Sequence, residues 1–337
     1  MIDAGGIITN KQTKSLMESN QIKVALDNII QQIKFYQLRV SFEALETIHI
    51  SEYKGSAFRG CLGDAFRHEV CRYPKKKCED CHLQQECSFA FLFESPLPNE
   101  HHLFGKYTHP PRPYLIIPMP GKQTTIETGS EFYFDLILIG SAIQLLPTLI
   151  LVFQRMGELG IGTGYSKFKA IRVEYLSPQV GYQPLPVFGT LSAITPDQLT
   201  IQPIASTITL DFQHPVRFLK DRKPYKDPPP FGMLIENLSR RMTLLAHLYC
   251  QTDWVDTDRA FDLNGTVKIK SHKLEWKDWT RYSGTQEKNL HFDGQLGLIS
   301  FEGELESWSK LLNLGVWLHA GSTATFGLGK YRIVPDE

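Results

Sequence analysis

A glycine-rich stretch occurs twice in this chain, each time between a helix-like segment and a strand-like one. The C-terminal copy reads His319-Ala-Gly-Ser-Thr-Ala-Thr-Phe-Gly-Leu-Gly-Lys-Tyr-Arg-Ile333. The upstream copy reads Gly157-Glu-Leu-Gly-Ile-Gly-Thr-Gly-Tyr-Ser-Lys-Phe-Lys169. The approach to each is the same. Residues 132–139 are strand-like and 141–156 helical, with Pro147 near the first turns; residues 296–301 are strand-like and 307–319 helical. The beginnings also match. Residues 32–45 read as a strand, and a helix follows with Phe58, Cys61, Leu62, Ala65, Phe66 and Val70 spaced by three and four. Residues 206–212 read as a strand, followed by a helix over 231–250 with Met233, Leu234, Leu238, Met242, Leu245 and Leu248 on one stripe. Short strands at 113–118 and from Val267 toward Trp279 complete the pattern.

Strand–helix–strand–strand–helix–strand, written twice, predicts an α+β chain of two tandem ferredoxin-like, RRM-like βαββαβ domains. The expected divisions are an N-terminal extension over 1–30 and a first domain over 31–177 with a Cys-rich insert at 71–110. A linker over 178–198 holds Pro178, Pro184, Pro186 and Pro196, and a second domain covers 199–337.

Lys plus Arg and Asp plus Glu both number 36, so any surface that attracts a polyanion must be local. No apolar run reaches membrane-spanning length, and residues 1–30 carry no apolar leader segment. The expected compartment is the cytoplasm, with no membrane partner. Within it, glycines in the C-terminal loop let backbone N–H groups approach a large ligand, and Lys330 and Arg332 follow at once. The loop is no nucleotide P-loop, because the Gly-Lys-Ser/Thr ending is missing and a strand follows.

The stretch Leu318–Arg332 resembles the closing motif of the CRISPR-associated endoribonucleases that process precursor crRNA, within the RAMP superfamily. Tyr53-Lys-Gly-Ser-Ala-Phe-Arg-Gly-Cys-Leu-Gly63 resembles the start of the first helix in RAMP proteins. The Cys-rich insert, Phe91–Glu94 and Pro111–Pro118 are similar to one branch of the processing family. The resemblance implies metal-independent cleavage of CRISPR repeat RNA by 2′-hydroxyl attack, leaving a 2′,3′-cyclic phosphate. It also implies a catalytic histidine on or near the first helix. His68 is the first candidate, His49 and His319 the next, with Lys54 or Arg67 as the cation that meets phosphate charge. The alternative is a non-catalytic RAMP subunit that holds crRNA in an effector complex. A zinc-stabilised RNA-binding protein outside CRISPR is a third reading. Other Cas proteins are the expected protein partners.

The expected RNA contacts are Gly321, Ser322, Thr323, Thr325, Gly327, Gly329, Lys330 and Arg332 of the loop. Arg240 and Arg241 on the preceding helix, with Lys220, Arg222 and Lys223, extend a phosphate path. Lys268, Lys270 and Lys273 precede Trp276, Trp279 and Tyr282, a basic and aromatic strand suited to stacked bases, or equally a solvated strand with core tryptophans. Cys71, Cys78, Cys81 and Cys87 form a four-thiol segment, with Lys75, Lys76 and Lys77 directly before the Cys78/Cys81 pair, which suits a structural Zn²⁺, or alternatively an iron–sulfur cluster. No catalytic metal is expected.

Overall fold

A computed structural model describes residues 10–97, 110–186, 191–258, 260, 261, 263, 265–283 and 288–335. The first half contains helix α1 (Asn10–Ile30), strand β1 (Phe35–Ala44), the short β2 (Ile48–His49) and helix α2 (Gly55–Val70). It continues through β3 (Tyr114–Pro118), β4 (Thr125–Ile126), β5 (Glu131–Ile139), α3 (Leu146–Leu159), β6 (Phe168–Ser177) and β7 (Gly181–Pro184). The second half contains β8 (Thr207–Val216), the short β9 (Leu219–Lys220) and β10 (Lys223–Pro224), and helix α4 (Phe231–Cys250). Then come β11 (Val267–Ser283), β12 (Lys288–Gly303), α5 (Ser309–Leu318) and β13 (Tyr331–Val334).

The two main sheets have the orders β3-β5-β1-β6-β7 and β11-β12-β8-β13, and their pairings are antiparallel. In both, the unit's first strand lies between the third and the fourth, and the second strand lies outside the third. The element order read from the sequence is therefore present twice. β7 is an addition within the segment expected to be a linker, and Ile194 bridges to Phe35, so the first sheet reaches past residue 177.

Strand alternation decides which face of β1 meets the helices. Leu38, Val40 and Phe42 pair with Leu136, Phe134 and Phe132 of β5, and all are buried against α2 and α3. Phe58, Leu62, Ala65 and Phe66 of α2 return at three- and four-residue spacing to fill that layer. Each buried aromatic there contributes about 1.5–3 kcal/mol.

The opposite face of the first sheet is also covered. Phe35, Leu115, Ile137 and Ile139 belong to the same core as Leu234, Leu238 and Leu245 of α4, and Phe35 meets Trp317 of α5 at 5.8 Å. The N-terminal extension joins in, because Leu26, Ile29 and Ile30 of α1 are buried in that core. The two halves thus share one apolar layer. Among the described residues no helix is long and apolar enough to cross a membrane.

Candidate functional site

The loop between α5 and β13 divides into a part docked on the first half and a part that lines a groove. In the docked part three consecutive carbonyls are each held by a side chain. Tyr53 Oη donates to the Phe326 carbonyl. Facing carbonyl oxygens, the imidazole Nδ1 atoms must be the donors: His214 to Gly327 at 2.7 Å and His319 to Leu328 at 3.0 Å. Gly55 opens α2 against this segment, where a Cβ would stand 2.1 Å from the Phe326 oxygen.

The expectation that Gly327 and Gly329 lie against phosphates is corrected here. A Cβ on Gly327 would stand 2.3 Å from the Ile116 carbonyl oxygen, and one on Gly329 would stand 1.7 Å from that of Ala320. Both glycines are buried against protein backbone. The cations that follow are engaged as well. Lys330 is half-buried, burial lowers its pKa, and it feels the Asp135 carboxylate. Arg332 pairs with Asp211 at 2.9 Å.

Gly321, Ser322, Ala324 and Thr325 line a groove of about 840 Å³ between Pro110–Arg112 of the first half and α4 of the second. The backbone is tied to protein there: Gly321 N donates to Asn237 Oδ1 at 2.8 Å and Ser322 N to the Arg217 carbonyl at 3.2 Å, which leaves the exposed Ser322 side chain facing solvent. The lining carries five cationic side chains, Arg112, Arg217, Lys220, Arg240 and Arg241, against the carboxylates of Asp221 and Glu236. Arg217 also pairs with Asp293 at 2.8 Å. Arg241 is buried, which lowers its pKa to about 10; Nε donates to the Leu318 carbonyl at 3.0 Å while Nη2 has no protein partner. Sequence reasoning reached Arg240, Arg241 and Lys220 but missed Arg112 and Arg217. Their signal is weak, since they are single arginines 105 positions apart (217 minus 112) that only folding joins.

The structure does not bring the β11 lysines to this groove. Lys268, Lys270 and Lys273 are exposed on the outermost strand of the second sheet, with Lys268 opposite Glu302. Trp276 is half-buried beneath Lys226 Nζ, 5.5 Å from the ring. The side chains of Trp279 and Tyr282 lie outside the described part of the chain.

The candidate proton-transfer groups fall at three separate places. His68 is exposed in the last turn of α2, with Nδ1 3.5 Å from Glu69 Oε1. Thirteen helical residues separate it from Gly55, a distance of about 20 Å. Arg67 holds the Pro74 and Lys76 carbonyls at the start of the Cys-rich segment. His319 has no solvent exposure, and burial pushes its pKa well below the ordinary value. It is a neutral structural group with Nε2 unpartnered. His49 is exposed on β2, its Nδ1 3.4 Å from Thr125 Oγ1 of β4. Lys54 is 1% exposed; Nζ donates to the Gly121 carbonyl at 2.8 Å, and burial lowers its pKa. His49 and Lys54 thus grip one segment, 121–125. The loop between α3 and β6 closes on the same place, with Thr163 N donating to the His49 carbonyl at 3.1 Å.

The four cysteines Cys71, Cys78, Cys81 and Cys87 are half-buried and unpaired below α2. Burial raises the Cys78 pKa, and Cys87 and Cys71 are close enough to raise it further. Among the described residues, however, no three metal-ligating groups converge. The donor chemistry suits Zn²⁺, but the arrangement does not form a closed four-sulfur site. Cys61 is buried in the core, and burial raises its thiol to about 12, while Cys250 is half-buried at the edge of the core.

Comparison with known proteins places these features in a wider group. Residues 210–331 match the family model of CRISPR-associated endoribonuclease Cas6, and residues 33–198 match one described as an N-terminal domain. An uncharacterized protein of Archaeoglobus fulgidus is 23% identical over 299 residues, 85% of this chain and 93% of the relative. The fold is shared with Thermus thermophilus Cas6, at TM-score 0.50 and 13% identity over 90% of this chain and 99% of that one. A Cas6 product complex superposes at TM-score 0.53 and 12% identity, over 89% and 99% of the two chains. A chain of a partial Cas6-RT-Cas1--Cas2 complex matches at TM-score 0.51 and 15% identity over 90% of this chain. This chain spans 46% of that longer one.

Proposed function

We propose that the chain is a Cas6-type protein that binds CRISPR repeat RNA and cleaves precursor crRNA, a reading supported by the match of residues 210–331 to the Cas6 family model. Its framework is read as two ferredoxin-like domains. The observation that carries the reading is the groove between the halves, where five cationic side chains line one channel together with Gly321, Ser322 and Thr325. Phosphates of a repeat strand match that lining, while the neutral whole-chain charge keeps the attraction local.

For the chemistry, an RNA strand brings its own nucleophile. A 2′-hydroxyl attacks the neighbouring phosphorus, the bond to the 5′-oxygen breaks, and a 2′,3′-cyclic phosphate and a 5′-hydroxyl remain. The protein aligns the three atoms in line, removes the 2′ proton and returns one to the leaving oxygen. Geometry favours His49 over His68 and His319 for a proton-transfer role, because it is exposed and both its ring and its backbone are held. Buried Lys54 acts through the Gly121–Thr125 segment as a positioning residue. Other Cas proteins are proposed partners, and a structural Zn²⁺ on the four cysteines is proposed to draw their sulfurs together. Metal analysis finding no zinc, with all four thiols freely titratable in native protein, overturns that part.

The test is single-turnover cleavage of a repeat RNA in EDTA. Expected products carry a 2′,3′-cyclic phosphate, and His49→Ala slows the step roughly a hundred- to ten-thousand-fold. Products with a 3′-hydroxyl, or activity abolished by EDTA, overturn the mechanism. Binding without cleavage assigns the non-catalytic crRNA-holding role instead.

A further inference from the structure

The first Gly-rich loop contains a residue whose counterpart in the second copy is fully buried. Set on their closing strands, Gly164-Tyr-Ser-Lys-Phe-Lys169 and Gly327-Leu-Gly-Lys-Tyr-Arg332 correspond position by position, which puts Tyr165 opposite Leu328. Leu328 has no exposure and packs with Tyr53 and Phe292. Tyr165 is 70% exposed. Its backbone is also held in the left-handed region at φ +53°, which costs a non-glycine residue free energy that no packing of the ring returns.

Gly164 supplies an independent observation. Its φ lies outside the left-handed region, and a Cβ there would come no closer than 3.7 Å to any atom, the Ser166 Oγ. Neither conformation nor packing within the fold therefore requires glycine at this position. A bare backbone in open space is useful to a group that approaches from outside. The tip stands directly beside His49, since the Thr163 N–H holds the His49 carbonyl and Gly162 passes against it.

We propose that Thr163, Gly164 and Tyr165 form a nucleotide subsite next to the cleavage position. The Tyr165 ring stacks on one unpaired base, and Gly164 lets that nucleotide's sugar–phosphate lie against the loop backbone. This rests on the repeat-RNA reading above and adds to it a residue that positions the strand. The surroundings favour a nucleotide over an apolar protein surface. Exposed Thr163 and Lys167 lie two residues to either side of Tyr165 in the chain, and exposed His49 is joined to Thr163 through its carbonyl, so the loop tip is a polar, hydrogen-bonding setting.

The test uses the full chain and repeat RNAs carrying 2-aminopurine at each unpaired position flanking the cut in turn. One position should be quenched on binding to wild type and to Tyr165→Phe, and that quench should vanish in Tyr165→Leu. Tyr165→Leu should also weaken binding about 5- to 160-fold, the range for losing one stacked base. Gly164→Ala, whose Cβ meets no atom closer than 3.7 Å, tests the fold, and Gly164→Val should weaken binding by obstruction. If wild type binds and cleaves repeat RNA while Tyr165→Leu keeps affinity, rate and quench, this subsite is wrong and the parent reading stands. If wild type neither binds nor cleaves repeat RNA, both fall.

Discussion

The two Gly-rich loops share a frame and differ in what lies above them. In each, a helix glycine packs on the first residue of the closing strand: a Cβ on Gly157 would stand 2.0 Å from the Phe168 carbonyl oxygen, and one on Gly315 would stand 2.1 Å from Tyr331 Oη. Beyond that frame they diverge. The second loop meets the first half of the molecule, and its carbonyls 326–328 become a latch for Tyr53, His214 and His319. The first loop meets β2, the turn before it and Cys61 of α2 through its base, while Thr163, Gly164 and Tyr165 at its tip remain exposed. A duplicated motif thus supplies a domain joint once and an open surface once. Glycine content reports close approach without saying whether protein or ligand approaches.

The largest effect expected from this contrast is at Gly327. Alanine there keeps φ near +83° and places a methyl 2.3 Å from the Ile116 oxygen. Left-handed strain alone costs about 1–3 kcal/mol, and separating the halves to relieve the contact adds to it. Urea unfolding of Gly327→Ala should show a loss of at least about 2 kcal/mol. A midpoint equal to wild type would mean that the second loop is not a joint.

Next in size is Tyr53→Phe. It keeps the ring against Phe292 and removes only the hydroxyl that donates to the Phe326 carbonyl. An unsatisfied buried carbonyl costs about 1–3 kcal/mol. The same substitution at Tyr165, where the ring is exposed, should leave the unfolding midpoint unchanged. Equal losses at the two tyrosines would erase the distinction between docked and open loops.

Helix and strand periodicity made the framework readable in advance. The α4 stripe from Met233 to Leu248 gave that helix its limits, and the double βαββαβ order is present in both sheets. The site was less legible for a physical reason. Gly-Leu-Gly-Lys has the same letters whether its backbone faces a phosphate or the Ile116 carbonyl. Burial of His319 depends on contacts with Leu328, His214 and Lys330 that form only when β8, α5 and β13 converge. Gly181–Pro184 was concealed as a strand by flanking prolines, and needs only one neighbour, β6, to be an edge.

A third expectation concerns pH. Burial holds the His214 and His319 pKa values below the ordinary histidine value, His319 well below it. The unfolded chain regains the ordinary value of about 6.5. Below that pH the unfolded state binds protons that the latch refuses, so the latch's contribution is intact above about pH 7 and declines as pH falls. The slope reaches at most about 1.4 kcal/mol per pH unit for each histidine. Comparing unfolding midpoints at pH 7.5 and 5.5 for wild type and His214→Gln measures it. An identical loss in the variant would separate the acid sensitivity from His214.

The smallest effect is the most discriminating. Gly164 corresponds to Gly327, yet an added Cβ there has free space and no left-handed backbone to strain. Alanine at such a position restricts the unfolded chain more than the folded one, which stabilises by about 0.4–1 kcal/mol. Gly164→Ala should therefore raise the urea midpoint slightly, while Gly327→Ala lowers it steeply. The two substitutions are chemically identical and occupy matching places in the repeat, so their difference isolates the domain that covers one loop and not the other. A substantial loss at Gly164 would show that the first loop also has a protein neighbour, and the open-surface assignment would have to be abandoned.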